Sequence, residues 1–244
     1  MSALRIERDG HVLRVTIDKP ERRNAFDAGL IRELTQAFSD VGDARAVVLT
    51  GEGENFCAGA DIEWQRSSID LTYEENVEDA LRLYEMLAAV DGCPAPVVAW
   101  IQGYCLGGGC GLAACADVAL AAEDATFGFS EVKLGIIPAV ISPFVLAKIG
   151  PGAARRYVLT GERFGSEVAL RTGLVSEIAP DAEQVVAELL SSGPAAVREA
   201  KRLVRPDPGE GRALAELAAR MRTSDEGQDG LRAFLERRKP GWNG

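Results

Sequence analysis

Apolar and polar residues alternate over residues 3–8 and 11–17 on either side of Asp9-Gly10, and a period of two around a turn dipeptide predicts a β-hairpin. The period then changes. After Asn24 and Asp27, residues 28–41 bring Leu30, Ile31, Leu34, Ala37 and Phe38 onto one stripe at helical spacing, with the two polar residues placed to cap it. Val47, Val48 and Leu49 form an uninterrupted apolar run, the pattern of a strand buried on both faces. A helix over residues 74–90 follows, then the punctuation of Pro94 and Pro96, then the strand VVAWI. Residues 118–122 predict another buried strand, Phe127 and Phe129 flank a short extended piece, and Pro138 precedes a helix running to about Ile149. Helices fit residues 152–160, 166–172, 181–191 and 194–204. Arg205-Pro206-Asp207-Pro208-Gly209 breaks the chain, after which residues 211–222 and 226–238 read as amphipathic helices. Strand, glycine loop and helix occur in that order twice, which predicts an α/β body over residues 1–190 and a helical tail over residues 191–244.

Composition narrows the function. The 244 residues carry 27 Lys and Arg against 37 Asp and Glu, a net charge of −10, and that balance speaks against nucleic acid or an anionic membrane as partner. The N-terminal residues are charged where an export signal would be apolar, so the cytoplasm is expected. Residues 94–122 are apolar but interrupted by glycines and by Asp117, which predicts buried core and not a membrane span. Cys105, Cys110 and Cys115 are evenly spaced, yet a single histidine and no C-x-x-C leave no metal site to expect. That histidine, His11, shares strand parity with Leu13, Val15 and Ile17 and reads as structural. Histidine-assisted nucleophiles are thereby excluded, and the acid or base is expected to be a carboxylate.

The glycine loops are where chemistry can sit. Phe56-Cys57-Ala58-Gly59-Ala60-Asp61 places small residues after a strand, where backbone N–H groups can approach a ligand, although a tight turn explains the same residues. In the second loop, residues 103–111, Gly107-Gly108-Gly109 comes just before the apolar run Leu112-Ala113-Ala114-Cys115 and would expose N–H groups at a helix start. One N–H from each loop, meeting at a single oxygen, makes an oxyanion hole. Gly109 to Ala114 also fits a dinucleotide fingerprint, but Glu123, the next acidic residue at a strand end, lies 14 positions on (123 − 109) where ~20 are needed. Glu131 stands among Phe127, Phe129, Ile136 and Ile137; such surroundings raise a carboxyl pKa and suit it to proton transfer at carbon, while a glutamate paired with Lys133 is the structural alternative. Asp61 and Asp117 each follow a small-residue run and read as caps.

The runs FCAGADI and IQGYCLGGGCGLAACADVALAAEDATFGFSEVKLGIIP together resemble the enoyl-CoA hydratase/isomerase, or crotonase, family, from Asn24-Ala25-Phe26 to GLRAFLERRKP. The resemblance implies a crotonase-type spiral of ββα units, a C-terminal helical trimerisation region, and a homotrimer or dimer of trimers that binds an acyl-CoA thioester. It implies no cofactor, since coenzyme A belongs to the substrate. Position by position, Ala58 and Gly108 match the oxyanion-hole donors, and Glu131 the glutamate that delivers a proton to the α-carbon. Arg23, Ala25, Ala60, Asp61 and Ile62 fall in the substrate-binding segment, with Ala60 near the adenine. Phe234 and Arg237 match tail positions that reach CoA from a neighbouring subunit, though a solvated amphipathic helix explains the tail equally. The acyl pocket falls to residues 64–90 and those after Pro138.

One position departs from the pattern. The glutamate that orients water in typical hydratases is replaced by Gly111, which cannot accept a proton. Three readings follow: a hydratase for a branched or glutaconyl-type enoyl-CoA, a Δ3-Δ2-enoyl-CoA isomerase working with Glu131 alone, and a catalytically weak acyl-CoA binding protein. The segment Gly135-Ile136-Ile137-Pro138-Ala139-Val140-Ile141-Ser142-Pro143-Phe144 with Gly111 looks like the methylglutaconyl-CoA hydratase branch and favours the first.

Overall fold

In the computed structural model, which describes residues 2–205 and 211–243, the hairpin forms as β1 (Leu4–Asp9) and β2 (Val12–Ile17). Asp9 pairs with Val12, so the turn residues are Gly10 and His11, one position beyond the dipeptide expected. Gly10 has φ 55°, the left-handed conformation that tight hairpin turns require. His11 is exposed in that turn, and its carbonyl accepts the Arg45 amide at 2.8 Å.

The chain then spirals, depositing one strand in each of two sheets per turn. The large sheet takes β3 (Ala46–Gly51), β4 (Val97–Ile101), β6 (Val118–Ala121) and β9 (Glu177–Ile178), all parallel to β2, in the order β1-β2-β3-β4-β6-β9. The small sheet comprises β5 (Tyr104–Leu106), β7 (Thr126–Gly128) and β8 (Arg163–Gly165). Single bridges, Cys57 to Cys105 and Phe26 to Ala60, carry its pairing back to the earlier turns of the chain. β5, β8 and β9 escape sequence reading because two or three residues have no measurable period.

Helices close each turn: α1 (Ala28–Ser39), α2 (Ile62–Ser67), α3 (Tyr73–Asp91), α4 (Gly108–Cys115), α5 (Ser142–Thr160) and α6 (Ser166–Thr172). α5 joins the two helices expected on either side of Gly150, which breaks the dihedral pattern at φ 65°, ψ 168° ahead of Pro151. α4 begins at Gly108 and not after Gly111, so the glycine triplet belongs half to a loop and half to a helix. α7 (Glu183–Ser191), α8 (Pro194–Leu203), α9 (Gly211–Thr223) and α10 (Asp225–Glu236) follow. The breaker at residues 206–209 lies outside the described residues. Among the described residues no helix is long and apolar enough to cross a membrane.

Both faces of the large sheet are covered, which explains its unbroken apolar strands. Val15, Val47, Leu49, Val97 and Ala99 face α1, α3 and α4 in the main core, while Val12, Val48, Val98 and Leu120 pack under Ala182 and Val186 at the start of α7. Polar side chains then pin loops to this frame. Asp117 is not a cap: its Oδ2 accepts the Val97 amide at 2.7 Å and the buried Lys201 ammonium at 2.6 Å, which ties α8 to the sheet. Asn24, fully buried at φ 55°, donates to the carbonyls of Glu52 (3.0 Å) and Asn55 (2.6 Å) and accepts the Lys19 amide (2.9 Å). It therefore fixes the turn that precedes the first glycine loop.

Asn24→Ala leaves those groups unpaired and puts a methyl-bearing residue at positive φ, so it is expected to lower stability by about 3 kcal/mol. Urea unfolding at unchanged slope reads this loss; a drop below about 1 kcal/mol would show that the pin is dispensable.

Candidate active site

Three consecutive glycines set the site, and each is required by a different neighbour. Gly107 has φ 50°, and a Cβ there would lie 2.9 Å from Glu131 Oε1. A Cβ on Gly108 would lie 2.7 Å from Cε2 of Phe26, and one on Gly109 2.5 Å from the Cys57 carbonyl oxygen. Gly59 presses from the other side, where a Cβ would meet the Leu106 carbonyl at 2.9 Å. The two glycine loops are thus in backbone contact, so amides from both line one cavity.

Hydrogen-bond accounting decides which amides are free. Ala58, expected as the first donor, gives its N–H to the Arg23 carbonyl at 3.0 Å, and that bond removes it from the role. The available amide is two residues on. Phe26 N–H binds the Gly59 carbonyl at 2.7 Å, and the Asp61 N–H binds the Phe26 carbonyl at 2.8 Å. In a trans peptide C=O and N–H point in opposite directions, so the Ala60 N–H is turned away from Phe26 and toward the second loop. Among the described residues it has no acceptor. Gly108 is the first residue of α4, where an N–H has no intrahelical partner, and none outside the helix is found for it among the described residues. Gly59, at φ 93°, breaks the extended run between the two alanines, so their amides face different ways: that of Ala58 meets the Arg23 carbonyl, a long-range neighbour that sequence pattern did not reveal, and that of Ala60 does not.

Glu131 sits in a short 3-10 turn, Ser130–Leu134, that follows β7. Among the described residues its Oε2 is buried without a hydrogen-bond partner, and Lys133 does not contribute to its electrostatics. Burial pushes its pKa up from 4.5, the ordinary glutamate value, against a weaker opposing backbone hydrogen bond.

Ala60, Gly108 and Glu131 line a cavity of about 590 Å³. Trp64, Gln65, Asp79 and Leu83 from α2 and α3, and Pro138 to Ile141, form its other walls, in the two segments expected to build an acyl pocket. Ile62 and Ala58 also line it, and Arg163, missed in the sequence, does so from β8. Arg163 and Arg23 both lie against the Tyr104 ring, 5.1 and 5.6 Å from its centroid. Ala25 is buried and outside the lining. Asp61 is outside it as well, because its Oδ1 caps α2 by accepting the amides of Glu63 (2.8 Å) and Trp64 (3.3 Å). Gly111 is buried against Ile141 Cγ2 and Leu87 Cδ2, which would lie 2.7 and 3.3 Å from a Cβ. Hydrocarbon fills the space where a carboxylate was missing. In the single chain Phe234 and Arg237 stand on α10 and its cap, exposed and outside the lining. All five cysteines are buried; Cys110 donates to the Cys105 carbonyl at 2.9 Å, and burial raises the Cys57 pKa to about 12.

Residues 7–244 match the family model described as Enoyl-CoA hydratase/isomerase. An enoyl-CoA hydratase from Shewanella pealeana has the same fold at a TM-score of 0.92 and 38% identity, covering 98% of this chain and 96% of that one. Pseudomonas aeruginosa AtuE gives a TM-score of 0.92 at 37% identity over 99% of this chain and all of its own, 100%. A Rhodobacter capsulatus protein named "Probable enoyl-CoA hydratase" is 36% identical over 94% of this chain and 93% of its own length. With the spiral of strands, the paired glycine loops and the match along nearly its whole length, the chain has the crotonase fold and belongs to the enoyl-CoA hydratase/isomerase family.

Proposed function

We propose that the chain is an enoyl-CoA hydratase for an α,β-unsaturated acyl-CoA whose acyl group is branched or of the glutaconyl type. The observation that carries this is the pair of unpartnered amides, Ala60 and Gly108, lining one cavity with the buried carboxyl of Glu131. The two N–H groups hold the thioester oxygen and stabilise the negative charge it gains as water adds to C3. Glu131 delivers a proton to C2 from one carboxyl oxygen while the other takes a proton from the attacking water, so the carboxyl returns to its starting state. In this reading coenzyme A enters as part of the substrate, no other cofactor takes part, and Arg23 with Arg163 supplies positive charge for its phosphates.

The acyl assignment is supported by what surrounds Gly111. Among the described residues the cavity is lined by two carboxylates, Glu131 and Asp79, and the latter is paired with Arg82 at 3.0 Å. With no protein carboxylate at residue 111, a carboxylate on the substrate itself can orient the water. The same hydrocarbon-filled space favours a second reading, a Δ3-Δ2-enoyl-CoA isomerase in which Glu131 takes a proton from C2 and returns it to C4. The tail, residues 191–244, is proposed to join subunits into a trimer or dimer of trimers in the cytoplasm. Leu231, Phe234 and Leu235, on one stripe of α10 and 48%, 81% and 78% exposed, support a partner surface there.

Product mass separates the readings. Incubation with straight, branched and dicarboxylic 2-enoyl- and 3-enoyl-CoA esters is expected to add one water to a branched or dicarboxylic 2-enoyl ester. Isomerisation without a mass change supports the second reading, and acyl-CoA binding without turnover on any ester overturns both.

Glu131→Gln is expected to lower turnover at least about 100-fold while acyl-CoA affinity by calorimetry stays within a few-fold; near wild-type rates would refute the role. The same variant tests the pKa. Ionising the buried carboxyl costs more in the folded chain than in the unfolded one, so wild type loses stability as pH rises from 4.5 through its raised folded value. Thermal melts of Glu131→Gln should match wild type below pH 4.5 and exceed it at neutral pH.

Gly111→Glu is not expected to install a working second carboxylate, because its Cβ strikes Ile141. Overpacking of this kind costs about 1 to 3 kcal/mol, and a lower melting temperature without faster hydration of crotonyl-CoA is the expected result. Faster hydration would show that Ile141 can move aside.

A further inference from the structure

We infer that Phe26 is the positioning residue that sets the two oxyanion donors relative to each other. The inference rests on the assignment of the Ala60 and Gly108 amides to the thioester oxygen. Phe26 reaches both donors by different parts of one residue. Its backbone pairs on either side of Ala60, with N–H to the Gly59 carbonyl at 2.7 Å and C=O from the Asp61 amide at 2.8 Å. The Gly59–Ala60 peptide plane is thereby held with its carbonyl toward Phe26 and its N–H toward the cavity. The ring, 1% exposed, lies flush on Gly108, with Cε2 and Cδ2 at 2.7 and 3.0 Å from where a Cβ would stand.

These contacts have different strengths. Two backbone bonds fix Ala60 whatever side chain residue 26 carries, whereas Gly108 makes no backbone bond through its own N–H and meets residue 26 through the flat, stiff ring. Gly108 begins α4 without a side-chain cap, and the loop before it turns at Gly107. The residues before it are held by the Leu106 and Gly107 amides on the Cys57 and Gly128 carbonyls at 3.0 and 2.9 Å, and the ring is the side chain that meets the face of Gly108 itself. A shorter or more flexible side chain at residue 26 leaves room for the α4 start to move, and the two N–H groups then no longer converge on one oxygen. Phe26 also lines the cavity, but the larger loss is expected in turnover, because misaligned donors act on the state in which the thioester oxygen is charged. A displacement of about 1 Å in such a site can cost about 100-fold in rate.

The test uses the full chain and an enoyl-CoA ester labelled with 13C at the thioester carbonyl. Infrared difference spectra report polarisation of the bound carbonyl as a downshift of its band. Phe26→Leu is expected to lower kcat by roughly 10- to 100-fold, to leave KM within about 3-fold, and to shrink the downshift, with Phe26→Met used if the leucine variant does not fold. Gly108→Ala drives a methyl into the ring and is expected to lose activity and shift together. Adding Phe26→Leu to Gly108→Ala makes room for that methyl and should recover at least about 10-fold over the single variant. A Phe26→Leu chain with wild-type kcat and a full downshift overturns the inference, as does a double variant whose losses multiply. A wild-type chain that leaves the band unshifted overturns the oxyanion assignment itself, and is distinguishable because it appears before any substitution is made.

Discussion

Two backbone amides lining one cavity have no partner among the described residues, and the glycine contacts around them make this possible. Buried N–H groups in folded chains are almost always paired, so an orphaned pair facing one cavity is costly unless something else accepts from it. The cost is imposed by geometry on all sides. Gly109 abuts the Cys57 carbonyl, Gly59 abuts the Leu106 carbonyl, and the Arg23 and Phe26 backbones take up the bonding groups on either side of Ala60. In the proposed function a thioester oxygen gains two donors there with little reorganisation, and preorganised donors stabilise developing charge most effectively in such a setting.

The same wedge places the acid. Gly107 has no side chain where Glu131 Oε1 approaches, so the carboxyl packs directly on the loop that supplies the second donor. Its other oxygen has no partner among the described residues, and burial keeps the proton on longer than in water. In the proposed function this residue gives a proton beside the thioester carbonyl, and burial shifts it in the direction that suits that role. No neighbouring carboxylate or lysine tunes it; desolvation is the main cause of the shift.

Gly111 changes meaning once its surroundings are known. As a letter in the sequence it is a missing acid. In the fold it is a packing position where α4 meets Leu87 of α3 and Ile141 ahead of α5, and the acid's space is already occupied by methyl groups. The departure from the two-glutamate pattern is therefore matched by packing from three segments of the chain.

The sequence by itself determined the order of the longer elements, the two glycine loops, the carboxyl at residue 131 and the family, because hydrophobic period, turn residues and short motifs are properties of adjacent positions. It could not say which amide in Phe56-Cys57-Ala58-Gly59-Ala60-Asp61 is free. Ala58 and Ala60 are identical side chains two positions apart, and what separates them is the bend at Gly59, φ 93°, which leaves the Ala58 amide 3.0 Å from the Arg23 carbonyl and turns that of Ala60 away. Nor could it place Asp117 on Lys201, 84 residues away, Arg163 beside Arg23 across the Tyr104 ring, or the Phe26 ring on Gly108. Those facts are distances between segments far apart along the chain, and distances of that kind exist only after the spiral has closed.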